Sequence, residues 1–388
     1  MRLSSILPVV MEQNDFKSVY DKNTWKKGRS GTAVYGLFWD QSKLNGLGDI
    51  CIKAVDVLNL FWQPGKDDIQ DSRNLFHVEM LDKEEVQERW GDKLSTGSRR
   101  LNGQDFKPRE YDAEDNDSQK GDRVAVIDWY YKKWNGQKKV LHYVKYVGTD
   151  VLYASEDDEE RAERGWYDHG EYPFVMDAFY PVESSPAGFG LIDVNKSAQE
   201  QIDAMNSAIV SNTMMRSYPR YFEREDGGIN EKEFTDWSKP VVKVASMDVA
   251  NDVQPIQVPE LPAICVNVLN NKIEELRSTS GSTDVANGEK ASGVTAYSAI
   301  AALIETSGKN TKSFSMGSYR AVQKIGMQVI ELIRQFYDMP RQFRIVGEKG
   351  QEEFVQYDNA GLQQQLMPGM MGGEDMYRLP VFDLTISA

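Results

Sequence analysis

The sequence contains only two cysteines, Cys51 and Cys265, which lie far apart in a chain of 388 residues. They lack the paired spacing of a zinc site or a redox motif, so we predict two buried free thiols in a reducing compartment. Long hydrophobic runs are also missing. No segment reaches the roughly 18 to 20 apolar residues of a membrane-spanning helix, and the short apolar stretch at the start is broken by Pro8. We therefore expect a soluble, unsecreted protein with no membrane partner.

Residues and motifs typical of enzymes are equally scarce. The chain has three histidines, none with the spacing of a paired metal site, namely His77, His142 and His169. No GxxxxGK[ST] phosphate loop is present, and the lone Gly188–Phe189–Gly190 lacks the third glycine of a dinucleotide-binding loop. Residues 112–117 begin like a calcium loop but lack its sixth-position glycine and twelfth-position glutamate. We expect no catalytic residue, no metal and no cofactor, and we predict a structural protein.

Basic residues are in the minority. Sixty Asp and Glu against 45 Lys and Arg give a net charge of −15, which is opposite to the charge of a protein that holds nucleic acid over a broad surface. Any contact with DNA is therefore expected to be local, weak or repulsive. Two acidic runs, at residues 110–117 and 156–163, are predicted to be solvated loops or a solvated helical face.

Hydrophobic residues form 40% of the chain and aromatic residues 11%, enough for a folded core. Their spacing predicts an α+β protein. Residues 82–90 are predicted to be helical, and residues 125–134 and 140–147 to form a β-hairpin around Asn135–Gly136. Further strands are predicted at 342–346, 353–357 and 379–387, with a loop at 363–376.

Hydrophobic periodicity predicts three long helices in the second half, at residues 191–216, 260–279 and 295–337. The first two flank residues 218–258, which are predicted to form short strands around a small helix. A mobile loop rich in Gly, Ser and Asn is predicted at 280–293. The third helix would be about 65 Å long if unbroken, and a kink is expected near its internal Gly308.

Several stretches resemble, in family order and across essentially the whole chain, the portal proteins of tailed double-stranded DNA phages. GLGDICIKAVDVLNLFWQP at 46–64 and EEVQERW at 84–90 are similar to the portal wing. The passage from wing to stem is resembled by GWYDHGEYPFVMDAFY at 165–180, GFGLI at 188–192 and QEQIDAMN at 199–206. SGVTA at 292–296 and IRQFY at 333–337 resemble the start and end of the helix that follows the portal tunnel loop.

The resemblance implies the portal fold and its division of the chain. The wing would span 1–190, the first stem helix 191–217, the clip 218–258 and the second stem helix 259–279. A tunnel loop at 280–294, a long kinked helix at the base of the wing and crown at 295–338, and C-terminal strands returning to the wing at 339–388 would follow. Family members usually have more sequence before the wing segment and a helical crown after the last strand, so we expect a core lacking both parts.

The resemblance also implies a function. The chain would form a non-enzymatic channel of about twelve copies at one capsid vertex of the virion, through which double-stranded DNA is packaged and ejected. Heterologous interfaces repeated about an axis close such a ring. The expected partners are the terminase large subunit, neck adaptor and tail proteins, and capsid and scaffold proteins, with assembly in the host cytoplasm. The alternatives are another ring-forming head–tail protein and a metal-dependent enzyme acting on nucleic acid.

Three sets of site residues follow from the resemblance. The residues expected to face DNA at the tunnel loop or just after it are Asp284, Val285, Ala286, Asn287, Glu289, Lys290, Lys309 and Lys312. The candidates for partner docking on the clip are Glu223, Arg224, Glu225, Asp226, Lys232 and Trp237. The candidates for lining the channel are Glu200, Asp203, Glu274 and Glu275. We expect a largely electronegative channel, because each neutralised phosphate would add salt-dependent grip to DNA that must slide.

Overall fold

The computed structural model describes residues 3–94, 123–136, 138–218, 220–223, 230–236, 238, 240, 253–280, 297–346, 352–363, 365–367, 376–378 and 384. The chain divides into two compact units, one formed by Met1–Ile192 with Lys309–Ala388 and the other by Asp193–Gly308. All strand pairings found in the described ranges are antiparallel. Because the helices accompany antiparallel sheets, the fold class is α+β, as predicted.

The helices of the described ranges are α1 (Leu3–Gln13), α2 (Phe16–Ser30), α3 (Lys83–Trp90), α4 (Arg161–Arg164), α5 (Leu191–Ser217), α6 (Glu231–Phe234), α7 (Ala263–Ser280) and α8 (Tyr297–Phe336). The predicted helices α3, α5, α7 and α8 are confirmed. Helix α7 begins directly after Pro262, three residues later than expected. The kink expected near Gly308 stays a prediction, and most of the predicted mobile loop lies outside the described residues.

The strands of the described ranges are β1 (Thr32–Asp40), β2 (Asp49–Val55), β3 (Leu60–Trp62), β4 (Asn74–Asp82), β5 (Arg123–Trp134), β6 (Lys139–Val147), β7 (Asp150–Ala154), β8 (Phe174–Ala178), β9 (Tyr180–Val182), β10 (Ser185–Phe189), β11 (Tyr221–Glu223), β12 (Val253–Pro255), β13 (Arg341–Val346), β14 (Glu352–Tyr357), β15 (Gln365–Met367) and β16 (Met376–Arg378). The β5–β6 hairpin and the strands β13 and β14 are confirmed. The loop predicted at 363–376 is wrong, because it contains β15 and the first residue of β16. Strands of three residues are too short to show alternation in a sequence. The strand predicted at 379–387 lies outside the described residues except for Leu384.

Two sheets form the body of the first unit. The larger has the strand order β3-β4-β5-β6-β7, and the smaller has the order β2-β1-β8. In β5 the buried and half-buried residues alternate from Arg123 to Tyr130, which is the pattern of a strand with one face on the core. Its turn to β6 contains Gly136 at a φ of 95°, and the Asn135 amide donates to the Lys138 carbonyl oxygen at 3.1 Å.

The main core joins both sheets to the second half of α8. Ile325, Val329 and Ile333 of that helix are fully buried and lie four residues apart, in one hydrophobic cluster with Tyr35 of β1 and Phe174 of β8. A smaller cluster contains Val86 of α3 and the start of β5, together with Val147 and Leu152. The periodicity that predicts α8 therefore marks the face that it buries.

The segment Gly188–Phe189–Gly190 packs closely against the end of α2. A Cβ atom at Gly190 would lie 2.8 Å from the carbonyl oxygen of Arg29, at the end of α2. Gly31 ends that helix at a φ of 82°, and a Cβ atom there would lie 2.3 Å from the Phe189 carbonyl carbon. The two backbones approach so closely that side chains do not fit. The pair therefore positions the chain beside α2.

A buried ion pair ties α2 to β8 and α8. The Lys27 ammonium lies 2.8 Å from both carboxylate oxygens of Asp177 and 3.0 Å from the Ser318 hydroxyl, which itself donates to Asp177 at 2.9 Å. The Lys27 and Asp177 side chains are only 6% and 4% exposed. A buried charge is tolerated only when a close partner and hydrogen bonds compensate it. This cluster therefore fixes the rotation of α2 about its axis.

Breaking this pair should destabilise the fold strongly. We expect Lys27→Met to lower the free energy of unfolding by about 3–5 kcal/mol, because it leaves the Asp177 carboxylate buried without its cation. Urea unfolding followed by tryptophan fluorescence measures the change. The double variant Lys27→Met/Asp177→Leu should recover most of the loss, since it removes both charges.

A matched control uses the exposed ion pair between Lys324 and Asp68, whose atoms lie 3.0 Å apart. Lys324→Gln should lower the free energy of unfolding by less than about 1 kcal/mol, because water screens such a pair. If Lys27→Met lowered the free energy of unfolding by no more than Lys324→Gln does, the buried pair would not stabilise the fold.

Candidate functional site

The second unit contains a helix–module–helix arrangement. Strands β11 and β12 pair with Tyr221 opposite Pro255. Near this pairing the Asn212 amide donates to the Pro259 carbonyl oxygen at 3.3 Å, and Arg216 of α5 forms an ion pair of 3.0 Å with Glu260. These bonds bring the end of α5 close to the segment that enters α7. The small module and the two helices thus form one continuous structure.

The four channel candidates all lie on the exposed surfaces of α5 and α7. Glu200 is 3.9 Å from Lys196, Asp203 accepts from Gln199 at 2.8 Å, and Glu275 is 2.7 Å from Lys272; Glu274 lies next to Glu275. Helix α5 carries three acidic and two basic residues, and α7 carries two of each. The formal charges of these helices almost balance, and the expected largely electronegative channel stays a prediction.

The other predicted site residues are mostly outside the described residues. These are Asp284, Val285, Ala286, Asn287, Glu289 and Lys290 of the predicted tunnel loop, and Arg224, Glu225, Asp226 and Trp237 of the predicted clip. Lys309 and Lys312 lie within α8, and Glu223 is the last residue of β11. Lys232 lies on α6 with its side chain exposed.

Sequence reasoning missed an exposed apolar face on this unit. Val210 is 54% exposed and Met214 is 60% exposed on α5, and Tyr218 follows directly after the helix at 75%. Their spacing of four residues places them on one side. Further exposed apolar side chains on this unit are Met215, Tyr221, Phe222, Phe234, Ile264 and Val266. Soluble monomers rarely expose large contiguous apolar patches, which usually mark interaction sites.

Helix α7 has no buried residue along its 18 positions, and α5 has one, Ile202. Most helical stability in proteins comes from packing an apolar face, because helices of this length are marginal in water on their own. The spacing of apolar residues in α5 and α7 could have indicated these faces. What the sequence could not show is that the chain itself leaves them uncovered.

The first unit contains a buried polar cluster around Asp128. Its carboxylate lies 2.7 Å from the Lys145 ammonium, 2.7 Å from the Tyr143 hydroxyl and 3.3 Å from Nδ1 of His77. Burial alone would raise the pKa of Asp128, but the His77 hydrogen bond and the Lys145 charge outweigh it and lower that pKa. The cluster borders a cavity of about 1130 Å³. Because its groups are occupied with one another, the cluster stabilises the sheet.

The remaining candidates for chemistry have structural partners. His142 is buried with Nδ1 3.3 Å from the Ser155 hydroxyl, and His169 stacks on Tyr167 with ring centroids 5.3 Å apart. Among the described residues no group of three His, Cys, Asp or Glu side chains could hold a metal ion. No helix within the described ranges is long and apolar enough to cross a membrane.

Both cysteines are free thiols. Cys51 is buried, as predicted, but Cys265 is only half-buried, so that part of the prediction is wrong. Its helix α7 buries none of its residues. A cysteine on its apolar side therefore keeps contact with solvent.

Comparison with known protein families gives a match to the model described as phage P22-like portal protein, over residues 2–386. The match includes both compact units and almost the whole chain. Comparison with curated proteins gives no match. The family resemblance found in the sequence is thereby confirmed.

His169 gives the first unit a predicted pH dependence. Burial lowers the pKa of His169 from 6.5 to about 4, and Nδ1 of its ring accepts a hydrogen bond from the Glu171 amide at 3.0 Å. The folded state therefore favours the neutral ring. The contribution of His169 to the free energy of unfolding is fully present above pH 6.5 and is lost as the pH falls towards 4. At pH 5 we expect His169 to lower the free energy of unfolding by about 2 kcal/mol relative to neutral pH.

Urea unfolding of the wild type and of His169→Gln at pH 5, 7 and 8 measures this effect. The variant should lose less stability than the wild type between pH 7 and 5, whereas between pH 8 and 7 the two should change in parallel. Equal losses between pH 7 and 5 would show that His169 does not titrate as expected.

Proposed function

The chain belongs to the phage P22-like portal protein family, and on that premise we propose that it is a non-enzymatic ring subunit of the channel at one capsid vertex. Double-stranded DNA passes through this channel during packaging and ejection. The observation that carries the proposal is the uncovered apolar face of the second unit, formed by Val210, Met214 and Tyr218. A subunit that exposes such a face is suited to burial by a neighbouring copy.

About twelve copies close the ring. A heterologous interface joins two different surfaces of the same subunit, so repetition about an axis covers the sides of every copy. Helices α5 and α7 bury almost nothing within their own chain, and neighbouring copies supply the missing packing. Permanent interfaces of this kind resemble a protein core and are more hydrophobic than transient ones.

The family division of the chain fits the two compact units. The second unit, Asp193–Gly308, contains nearly all of the stem at 191–217 and 259–279, the clip at 218–258 and the tunnel loop at 280–294. The wing at 1–190, most of the long helix at 295–338 and the C-terminal strands at 339–388 belong to the first unit. This agreement supports a stem-and-clip body distinct from a wing body.

DNA passes along the stem and the tunnel loop. The acidic and basic side chains of α5 and α7 almost balance, which leaves few uncompensated cations to hold phosphates on those helices. Glu274 and Glu275 of α7 face the channel, whereas Glu200 and Asp203 lie on the same side of α5 as Val210 and Met214 and border the interface with the neighbouring copy. Lys290, with Lys309 and Lys312 just beyond the loop, touches phosphates transiently at the constriction. Sliding is thus combined with a local and weak contact.

The clip is the docking surface for the packaging motor and later for the neck and tail proteins. Its exposed aromatic residues support this role: Phe222 is 65% exposed, and Phe234 is 42% exposed with its ring 5.0 Å from that of Tyr221. Exposed aromatic side chains beside a charge such as Lys232 are common anchors of protein interfaces. Glu223, Arg224, Glu225, Asp226 and Trp237 are the further candidates for this docking. The assembled ring lies in the virion, next to capsid and scaffold proteins, after assembly in the host cytoplasm.

Assembly should depend on the apolar face of α5. We expect the wild type to form rings of about a dozen subunits around an open bore, and Val210→Lys/Met214→Lys to give monomers or small oligomers, because buried interfaces exclude unpaired charges. Mass photometry and negative-stain electron microscopy of the same samples measure this.

The matched control is Ser197→Lys/Gln201→Lys, which places the same charges on the same helix at the same spacing, on exposed polar positions that lie on a different side of α5 from Val210 and Met214. It should keep the rings. A wild type without rings would contradict the proposed function, and unchanged rings in Val210→Lys/Met214→Lys would contradict the interface.

Two variants should separate docking from DNA contact. Phe222→Ser/Lys232→Glu should form rings but lose binding to the terminase large subunit in a pull-down, because it removes an aromatic anchor and reverses a charge.

Lys290→Ala should keep rings and motor binding but alter DNA retention in a packaging assay. Intact motor binding in the first variant, or unchanged packaging and retention in the second, would refute the corresponding role.

A further inference from the structure

Helix α2 carries a concentration of positive charge within an acidic chain. It contains Lys17, Lys22, Lys26, Lys27 and Arg29 but only one acidic residue, Asp21. Lys27 faces inward to its buried partner. Lys22, Lys26 and Arg29 follow one another at spacings of four and three residues, which places them on one side of the helix. Like charges at this spacing destabilise a helix unless an anion compensates them.

These cations line a groove of about 740 Å³ between α2 and β2. The residues of the described chain that line it are Val19, Asp21, Lys22, Trp25, Lys26, Arg29, Ile52, Lys53 and Ala54. Lys53 brings a fourth cation from the neighbouring strand, and its side chain is exposed. The groove thus has cations on both walls and one carboxylate.

Trp25 adds an aromatic surface to the groove. Its side chain is 72% exposed, although tryptophan is among the residues with most to gain from burial. On α2 it is three residues after Lys22 and one before Lys26. A flat ring between cations is typical of surfaces that bind nucleic acid, where it packs against sugars or bases.

The electrostatics of Lys26 favour an anion beside it. Burial lowers its pKa, the Asp56 carboxylate raises it, and the nearby charges of Arg29 and Lys22 lower it again. Its ammonium donates to the Val55 carbonyl oxygen at 3.3 Å, which positions it at the groove. A phosphate oxygen there would favour the charged form of Lys26.

We propose that the α2–β2 groove of the first unit is a DNA-binding site in which Lys22, Lys26, Arg29 and Lys53 contact phosphates. Trp25 packs against the sugar–base surface beside them. The choice of DNA as the anion rests on the proposed function. The three helix cations span about 10 Å along α2, and a regular row of cations fits the repeated charge of a nucleic-acid backbone. An acidic protein segment is the competing occupant.

Removing the two exposed lysines should weaken DNA binding. We expect Lys22→Gln/Lys53→Gln to bind a fluorescent 20-base-pair duplex at least about tenfold less tightly at 0.1 M salt in an anisotropy titration. The slope of log affinity against log salt should become shallower by about 0.9 for each phosphate that is no longer neutralised. Trp25→Ala should lower the affinity about fivefold or more without changing that slope, since stacking releases no counterions.

The matched control is Lys138→Gln/Lys139→Gln, which removes the same charge from two exposed positions at the β5–β6 hairpin. It should bind DNA like the wild type. Equally weakened binding in both double variants would overturn the groove as the site. Binding of a glutamate 20-mer that depends on Lys22 and Lys53, with no binding of the duplex, would overturn DNA in favour of an acidic protein partner.

Mass photometry of the same samples separates this proposal from the proposed function. The groove variants should form the same assemblies as the wild type, because their changed residues are not on the α5 face. If the wild type formed no rings, the channel function would fail. The duplex titrations would still decide whether the groove binds DNA.

Discussion

The buried ion pair between Lys27 and Asp177 is the constraint on which the first unit depends. Together with Ser318 it connects α2, β8 and α8; Asp177 lies 150 residues and Ser318 291 residues from Lys27 along the chain. Two buried charges do not separate without a large desolvation cost. The pair therefore sets the rotation of α2. Because Lys27 points inward, Lys22 and Lys26 lie on the side that faces the β2 groove.

The two units use their apolar residues in opposite ways. The first has a shared core with many aromatic residues, where Tyr35, Tyr172 and Phe174 are almost completely covered. The second exposes aromatic and aliphatic residues on α5, α7 and the small module between them. A helix such as α7 gains little stability from its own chain. The first unit has the properties of a self-sufficient domain, and the second unit has those of an interface.

The elements that the sequence predicted are those with long regular periodicity. Residues 125–134 alternate, and α5, α7 and α8 repeat every three or four residues, so both patterns are visible without tertiary information. Helices α1 and α2 escaped prediction. Pro8 interrupts the helical signal of α1 while Ile6 and Val10 on either side of it are fully buried. Helix α2 is rich in lysine, and its buried Asn23 and Lys27 are polar.

Tertiary partners decide the burial of those two polar residues. The Val34 carbonyl oxygen accepts from Asn23 at 3.1 Å, and Asp177 pairs with Lys27. The candidate site follows the same rule. Charged residues were predictable as exposed, as Glu200 and Lys232 are, but the exposure of apolar residues such as those of the α5 face depends on what the fold leaves uncovered.

The distribution of charge agrees with the proposed passage of DNA along an acidic chain. A net charge of −15 repels DNA at long range, and salt screens this repulsion beyond about 10 Å. Attractive contact with DNA must therefore come from local geometry. Close ion pairs on α5 and α7 compensate most of the charge of these helices. Such a surface suits the proposed sliding of DNA. On α2 the buried cation is compensated by Asp177, and other cations gather with Trp25 at the groove. The two proposals are therefore compatible in one chain, because phosphates are retained only where neighbouring cations outnumber carboxylates.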